Sequence, residues 1–465
     1  MRNNTPLLLL LTAFTLVSGF PAIAAPVLAS AAGQVLYSFC SLTNCPDGNR
    51  PSGSLILDSA GNLYGTTAFG GDFPNCGGGD TGCGVIFQLT PGANDTWTET
   101  VLYSFCSQTN CADGEIPTGG LISDASGNLY GATSDGGTAT ECSTYGCGTV
   151  FELSPGANGV WTETVLYSFT GKDGYAPQGG VTLGANGNLY GTTVFGGVSY
   201  GSGCGLDGCG TVFQLAPGGN GTWTETMLYS FCSASGCTDG SGPTGRLIFG
   251  KAGNLYGTTQ GGGINDMGTV FELSPDKNGT WKEKVLHSFN NNGTDGYAPI
   301  AGVIRSANGS LYGTTLYGGG YRPRGCEYDH GCGAVFELKP GKNEQWTEKI
   351  IDDWGTRKRD SNPPENPLAG LIFDKAGNLY GTTEWGGGSE GCGTVFELKP
   401  GKNGEWKTSV VYTFSCTGEY GDGSYPLDLM MDGAGNIYGT TEVGGRGSGV
   451  GCDNYGCGTA YKITP

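Results

Sequence analysis

A motif close to Gly-Asn-Leu-Tyr-Gly-Thr-Thr recurs seven times along the chain of 465 residues and limits its fold more than any other feature. The copies follow one another at an average spacing of about 62 residues, a period typical of repeat architectures. Around every copy, four short runs rich in β-branched and aromatic residues are separated by Gly, Asn, Asp or Pro, which is the pattern of strands and turns. We therefore predict seven four-stranded antiparallel units and no helix. The Asn of the motif, replaced by Ser in one copy, stands at Asn62, Asn128, Asn188, Asn254, Ser310, Asn378 and Asn436.

The two ends of the chain carry complementary parts of one unit. Residues 35–39 match the second half of the fourth strand in other copies, such as residues 101–105, but no first three strands precede them. The last copy has three strands, the third over residues 460–464, and lacks a fourth. Because four-stranded sheets arranged around an axis bury their faces on one another, we predict an all-β, seven-bladed β-propeller closed by the N-terminal strand. An open solenoid is the alternative, but its stability would not depend on a first strand that completes the last copy.

From residue 33 onward, the chain resembles a known family of bacterial proteins. The repeated strings Leu-Tyr-Gly-Thr-Thr, Gly-Thr-Val-Phe-Glu-Leu and Val-Leu-Tyr-Ser-Phe are similar to those of the Gloeo-Verruco (GloVer) tandem-repeat proteins. The resemblance implies a secreted repeat protein, and it supplies no established activity and no catalytic residues.

Residues 1–32 have the features of a signal peptide and a short leader. Arg2 precedes an apolar run over residues 7–17, and the small residues Ala22 and Ala24 form a cleavage site, with a second one near Ala31. This run is too short to span a bilayer, and no later run is long and apolar enough to do so. We expect residues 33–465 to form a single propeller domain, secreted to the extracellular space or the cell envelope.

The composition favours a folded β-protein and excludes nucleic acid as a partner. The 90 Gly residues are too many for a helical protein, and an aromatic content of 11% is more than disordered chains contain. The formal net charge of −19 repels phosphate backbones and anionic membranes. Extracellular polysaccharide or protein is therefore the expected partner.

The 18 cysteines occur mostly as local pairs, which indicates disulfide bonds in an exported protein. Eight pairs follow a fourth strand or precede a third one, and Cys392 and Cys416 remain to pair across the adjacent ends of two antiparallel strands. Zinc is the competing interpretation, but the spacing is mostly four residues rather than two, and only two His residues could assist. The local pairs are Cys40 and Cys45, Cys76 and Cys83, Cys106 and Cys111, Cys142 and Cys147, Cys204 and Cys209, Cys232 and Cys237, Cys326 and Cys332, and Cys452 and Cys457.

An Asp-Gly-x-x-Pro pattern recurs before the first strand of six blades. It is typical of a turn in which Asp bonds to nearby backbone and Gly takes a positive φ. Alternatively, the carboxylates form a ring near the axial mouth, because the first strand of a propeller blade is innermost, and hold a hard cation such as Ca²⁺. We expect no cofactor, with Ca²⁺ as the open alternative. The Asp residues are Asp47, Asp113, Asp173, Asp239, Asp295 and Asp422.

Basic and aromatic residues gather in the loops of blades five and six of an otherwise acidic protein. These loops belong to the more variable face of the predicted propeller, where binding groups tend to concentrate. Guanidinium groups bind carboxylate and sulfate bidentately, and indole rings stack on sugars, so the cluster predicts a site for an acidic glycan. A solvated loop with incidental charge is the alternative. The predicted ligand-binding residues are Arg322, Arg324, Arg357, Lys358, Arg359, Trp354 and Trp385.

Signals for catalysis are weak, and no catalytic residue is assigned. His287 stands at a strand position that other copies fill with Tyr, and His330 lies in a loop. A Glu that recurs on the third strand is replaced by Gln in two copies, which argues against a general acid or base there. We predict a monomeric, disulfide-stabilised binding module for extracellular glycan or protein. A carbohydrate-active lyase or hydrolase and a structural component of the envelope or matrix are the alternatives.

Overall fold

Seven four-stranded antiparallel sheets are arranged as blades, as the repeats predict. The computed structural model describes residues 31–73, 76, 82–139, 141–142, 145–198, 204, 207–320, 331–354, 364–387, 391–416, 421–446, 452 and 456–465. Within these ranges the chain forms strands and short 3-10 turns but no α-helix. The same ranges contain no helix that could cross a membrane.

Each blade runs from an inner to an outer strand along the sequence, and the strands are numbered along the chain from β1 (Ala32–Ser38) of blade seven. Blade one has β2 (Asn49–Leu57), β3 (Leu63–Phe69), β4 (Val85–Pro91) and β5 (Trp97–Ser104), and blade two has β6 (Glu115–Ser123), β7 (Leu129–Asp135), β8 (Thr149–Pro155) and β9 (Trp161–Ser168). Blade three has β10 (Val181–Leu183), β11 (Leu189–Thr193), β12 (Thr211–Pro217) and β13 (Trp223–Ser230), and blade four has β14 (Ile248–Phe249), β15 (Leu255–Thr259), β16 (Thr269–Pro275) and β17 (Trp281–Ser288).

Blade five adds a small extra ladder between β18 (Gly296–Tyr297) and β21 (Tyr317–Gly318). Its main sheet has β19 (Ile304–Arg305), β20 (Leu311–Thr315), β22 (Ala334–Pro340) and β23 (Trp346–Asp353). Blade six has β24 (Ile372–Phe373), β25 (Leu379–Thr383), β26 (Thr394–Pro400) and β27 (Trp406–Thr413), and blade seven has β28 (Ser424–Met431), β29 (Ile437–Val443) and β30 (Thr459–Thr464) beside β1.

Blade seven contains strands from both ends of the described chain, which confirms the predicted closure. β1 pairs antiparallel with β30, from Ala32 opposite Thr464 to Ser38 opposite Thr459. The inner strands β2 and β28 are also in contact, so blade one packs beside blade seven. The ring is therefore closed by a strand from the beginning of the chain.

The core lies between neighbouring blades. A Phe that follows the outer strand of one blade meets a Phe on the third strand of the next, as in Phe105 against Phe151, with ring centroids 5.1 Å apart. Both side chains are buried. Within the described residues, such contacts form seven apolar clusters, one at each junction between blades. Because apolar burial is the main driving force of folding, each blade depends on its two neighbours for its core.

A repeated Asp fixes the turn between the first and second strands. Asp58 accepts hydrogen bonds from the backbone N–H groups of Ala60 at 2.9 Å and Asn62 at 2.8 Å. Gly61, in this turn, has a φ of +88°, a conformation that costs residues with a Cβ atom more than Gly. The same Asp-centred turn recurs at Asp124, Asp374 and Asp432.

Candidate functional site

The inner strands approach one another so closely around the axis that most positions there accommodate only small residues. A Cβ atom on Gly53 would lie 2.2 Å from the backbone N of Gly120, and one on Gly119 would lie 2.2 Å from that of Gly180. Both distances are far below van der Waals contact, so a side chain at either position would displace the backbone of the next blade. This narrow ring explains the Gly that stands two positions before the buried Leu or Val of the inner strand in blades one to four.

A cavity of about 410 Å³ lies on the axis, and residues of all seven blades line it. Small and apolar residues such as Gly245, Ala301 and Leu368 make up most of the wall. Cavities of this size and lining are typical of sites for small molecules. The axial cavity is therefore the candidate functional site.

Two charged side chains interrupt the ring of small residues. Arg246 of blade four and Asp428 of blade seven each stand directly before the buried Leu of the inner strand, where the other blades have Ser or Gly. Arg246 donates a hydrogen bond to the carbonyl of Gly119, and Asp428 accepts one of 2.8 Å from the N–H of Gly370. Among the described residues that line the cavity, only Arg246 and Asp428 are ionisable.

The environment of Arg246 is poorly solvated but electrostatically complementary. Burial lowers the pKa of Arg246, and the negative charge of Asp428 counteracts part of that shift. An Arg guanidinium nevertheless stays protonated in proteins. The cavity therefore presents one fixed cation and one anion from blades on opposite sides of the ring.

Blade seven differs from the other blades in a further polar group near Asp428. Tyr461 on β30 stands where the third strands of the other blades have Phe. It is buried, and its hydroxyl has no hydrogen-bond partner in the described part of the chain. Burial and the nearby charge of Asp428 raise the pKa of Tyr461. Blade seven thus holds a buried hydroxyl group near the charge of Asp428.

The repeated Asp residues lie beside the outer strands and do not form a ring at the axial mouth. Asp47 accepts hydrogen bonds of 2.8 Å from the hydroxyl of Tyr37 and 2.7 Å from the N–H of Ser41. Tyr37 belongs to β1, an outermost strand, and Ser41 to the same loop as Asp47, so the contacts are those of the turn interpretation. The Tyr–Asp contact recurs between Tyr103 and Asp113, Tyr167 and Asp173, Tyr229 and Asp239, and Tyr412 and Asp422, while Asp295 faces His287.

A second carboxyl group faces several of these Asp residues from the outer strand of the next blade. Burial, and to a smaller extent the charge of Asp47, raise the pKa of Glu99 to about 8. Burial, and to a smaller extent the charges of Asp113 and Asp239, raise the pKa values of Glu163 and Glu283 to about 8. Burial therefore favours the protonated form of these Glu side chains in the folded protein.

Eight disulfide bonds are present among the described residues, and each joins cysteines that the sequence analysis pairs. Cys392, just before β26, is bonded to Cys416, which follows β27. Cys332 is also disulfide-bonded, and its predicted partner Cys326 lies outside the described residues. No described cysteine is free, so none is available as a zinc ligand. The other bonds are Cys40–Cys45, Cys76–Cys83, Cys106–Cys111, Cys142–Cys147, Cys204–Cys209, Cys232–Cys237 and Cys452–Cys457.

Comparison with protein families decides the classification of the chain. The sequence model of the Gloeobacter/Verrucomicrobia repeat matches residues 27–203 and 73–326, which together span more than half of the chain. The chain belongs to this repeat family. Membership of the Gloeobacter/Verrucomicrobia repeat family agrees with the resemblance seen in the repeated strings, and no curated protein matches the sequence.

Solved structures similar to this family member share little of its sequence. A gluconolactonase from Xanthomonas campestris is 10% identical with a TM-score of 0.39, covering 93% of this chain and 89% of its own. A luciferin-regenerating enzyme is 10% identical with a TM-score of 0.42, covering 94% and 95%. PorZ, a surface component of the type-IX secretion system of Porphyromonas gingivalis, is 13% identical with a TM-score of 0.42, covering 84% and 49%. Similarity at this level contributes nothing to the assignment of a function.

Two of the residues predicted to bind an acidic glycan are described, and one of them is part of the core. Trp354 is 1% exposed and packs on Phe396 with ring centroids 5.1 Å apart, in the place that Phe105 takes in blade one. It is therefore not available to stack on a sugar. Trp385 is partly buried, with its ring 4.7 Å from that of Tyr425. Arg322, Arg324, Arg357, Lys358 and Arg359 lie outside the described residues, so the loop site stays a prediction.

The sequence analysis did not identify Arg246 and Asp428 as site residues. A charged residue replaces the recurring Gly before the buried Leu in blades four and seven of this Gloeobacter/Verrucomicrobia repeat protein. This replacement is the feature of the sequence from which the two residues could have been predicted. Only the closed ring shows that these two distant positions face the same cavity.

Proposed function

We propose that the protein is a secreted, non-catalytic binding module whose axial cavity takes a small acidic ligand, such as the terminal uronic acid of an extracellular polysaccharide. The observation that carries the proposal is Arg246, the single cation among the described residues of the cavity wall. It lines the cavity together with mostly small and apolar residues.

The chemistry of the cavity suits a sugar carboxylate. A guanidinium group binds a carboxylate through two parallel hydrogen bonds, and an environment of low polarity strengthens such a contact. Asp428, on the other side of the ring, can accept hydrogen bonds from sugar hydroxyls and repels a second carboxylate. A ligand with one acidic end and one neutral, hydroxyl-rich end matches both groups.

Secretion of the protein is supported by the disulfide bonds and the sequence of residues 1–32. Disulfides persist in oxidising compartments outside the cytosol, and this chain has eight of them in its described part. The leader combines a positive residue, an apolar run and a small-residue cleavage site. An extracellular ligand is therefore the appropriate class.

A binding role is favoured over glycoside hydrolysis by the content of the cavity. Most glycosidases use a pair of carboxyl groups on either side of the scissile bond. The described lining has one carboxylate, Asp428, opposite a guanidinium group. This arrangement holds a ligand but does not supply an acid and a base.

Calorimetric titration of the oxidised protein with galacturonic acid, its short oligomers and galactose tests the proposal. We expect the acids to bind and galactose to bind more weakly or not at all. The variant Arg246→Met should weaken binding of the acids about 10- to 100-fold, because a hydrogen bond to a charged group contributes about 1.5–3 kcal/mol. Arg246→Lys keeps the charge without the bidentate geometry, so its affinity for the acids should lie between those of the parent protein and Arg246→Met. This intermediate affinity separates loss of the contact from loss of the fold.

The triple variant Arg322→Ala, Arg324→Ala and Arg357→Ala is the matched control from the loop face. If the cavity is the site, this variant binds the acids like the parent protein. Loss of binding in the triple variant with retention in Arg246→Met would instead locate the site on the loops of blades five and six. Release of shorter sugars from the oligomers would favour the enzyme.

A further inference from the structure

The junction between blades four and five differs chemically from the other junctions. His287 on β17 replaces the Tyr found at this position in β1, β5, β9, β13 and β27. Its Nε2 atom lies 3.3 Å from Oδ2 of Asp295 and 3.7 Å from Oε1 of Glu348, which is on the outer strand of blade five. We propose that His287, Asp295 and Glu348 form a binding site for a divalent transition-metal ion, for which Zn²⁺ is the natural probe.

The distances between the three side chains fit such an ion. Zinc bonds to imidazole nitrogen and carboxylate oxygen are ~2.0–2.2 Å long and tetrahedrally arranged, which places ligand atoms roughly 3.4 Å apart. The two distances from His287 lie close to that value, and one donor atom from each residue lies within 4.8 Å of the others. A nitrogen and two oxygens leave the fourth position for water, which can enter because the side chains of His287 and Glu348 are 19% and 18% exposed.

Oxygen atoms without hydrogen-bond partners occur at this site, as they do at the junctions that hold Asp47 with Glu99 and Asp239 with Glu283. Among the described junctions, only this one adds an imidazole that faces the two acidic side chains. The side chain of Asp295 is 8% exposed, and its Oδ1 atom has no hydrogen-bond partner among the described residues. The same holds for Oε1 of Glu348. A buried carboxylate without donors loses the free energy of its hydration, and a bound cation would offset that loss.

Comparison with the preceding junction shows that Asp295 lacks hydrogen-bond donors that its equivalents have. Asp239 accepts hydrogen bonds from the hydroxyl of Tyr229 and from both the N–H and the hydroxyl of Ser233, all at 2.7–2.8 Å. The carboxyl group of Asp295 contacts only the side chains of His287, at 3.3 Å, and Glu348, and no hydroxyl or backbone N–H group donates to it in the described structure. Sequence changes at this junction have thus removed donors and introduced an imidazole, which is a common metal ligand.

The imidazole of His287 is held in place for this role. Its ring lies edge-on to Phe289, with ring centroids 4.7 Å apart. The Phe289 side chain is itself fully buried against Phe336 of the next blade. A protonated His287 could also neutralise part of the two carboxylates, and this alternative predicts no affinity for metal.

Zinc binding by the full, oxidised protein tests the proposal. After removal of metals with a chelator, equilibrium dialysis against ZnCl₂ should give one Zn²⁺ per chain, and Zn²⁺ should raise the melting temperature because it binds the folded state. The variant His287→Tyr should bind no Zn²⁺ and show no such rise. Because this variant restores the residue of the other junctions, it should fold, and its melting temperature without metal should be at least that of the parent protein.

Two control variants address other sources of binding. His330→Ala removes the only other His of the chain, and Asp239→Asn with Glu283→Gln alters the equivalent acidic pair of the preceding junction. Both variants should still bind one Zn²⁺, with thiol titration showing that the disulfides are intact. Absence of Zn²⁺ from the parent protein, retention of Zn²⁺ by His287→Tyr, or its loss in either control variant would overturn the proposal.

Discussion

Gly119 shows how the close packing of the inner strands around the axis restricts the residue types that a position can hold. Its φ is +70°, and a Cβ atom at this position would meet the backbone of blade three at 2.2 Å. The left-handed conformation alone costs a residue with a side chain about 1–2 kcal/mol, and the clash adds the cost of moving a packed backbone. Arg246 and Asp428 stand one position later in their repeats, in the place of Ser54 in blade one and Gly120 in blade two, where a side chain can be accommodated.

Gly119→Ala is expected to lower the free energy of unfolding by about 2 kcal/mol or more, measured by urea denaturation. Gly433→Ala is the matched control, because a Cβ atom there would meet nothing within 4 Å and its backbone conformation is an ordinary one. This control should change stability by less than about 0.5 kcal/mol. Equal effects of the two substitutions would contradict the close approach of the inner strands.

Single residues also mark the limit of what the sequence alone could predict. The turn role of Asp58 or Asp47 follows from local chemistry, because the partners lie within a few residues. The pairing of Asp47 with Glu99, and the meeting of Arg246 and Asp428 at one cavity, depend on how blades are arranged around the axis. Trp354 was predicted to bind a ligand because its neighbours in sequence are basic, whereas its equivalence to Phe105 assigns it to the core.

At the level of elements, the outer strands were predictable and the extent of the inner strands was not. The third and fourth strands have the same pattern of apolar residues in every repeat. They form long ladders in every blade. By contrast, β2 has nine residues and β14 has two, although their sequences have the same apolar and Gly-rich pattern. The length of an inner ladder depends on how each strand bends around the axis, which is a property of the ring.

Removal of the Cys392–Cys416 bond should destabilise the protein more than removal of a local bond. It closes a loop with a sequence separation of 24, against 5 for Cys106–Cys111. Chain entropy gives about 3.5 kcal/mol for the longer loop and about 2 kcal/mol for the shorter one. Double Cys→Ser variants of the two pairs, compared by urea denaturation, measure this difference, and a larger loss from the Cys106 and Cys111 pair would refute it.

Over the whole molecule, the repeated Asp–Glu pairs make stability depend on pH. The pKa values of Glu99, Glu163 and Glu283 are raised from 4.5 to about 8 in the folded state. Between these values the folded protein binds more protons than the unfolded chain, so stability falls as the pH rises through this range and becomes constant above it. The contribution of these groups is thus greatest below about pH 4.5 and is lost by about pH 8.

We therefore expect the melting temperature to decrease from pH 5 to pH 8. The triple variant Glu99→Gln, Glu163→Gln and Glu283→Gln should weaken this dependence, because Gln occupies the same space without titrating. A smaller dependence should remain, because the pKa values of Glu225, Glu348 and Glu384 are also raised. Glu405→Gln, which alters an exposed side chain, should leave the slope unchanged. A melting temperature that rises over this range in the parent protein would show that the Glu side chains are ionised at neutral pH.

The pairing of β1 with β30 has a consequence for the order of events during biosynthesis. β1 is the first described strand to leave the ribosome and, in an exported chain, to cross the membrane, whereas its partner is the last. Until then β1 has no hydrogen-bonded neighbour and blade seven lacks its edge, which is the state most prone to pairing with another chain. Six blades and their local disulfides can form while the chain is still emerging, but completion of the ring must wait for β30. A stalled or shortened translation product that lacks β30 would therefore leave β1 unpaired and the ring open at blade seven.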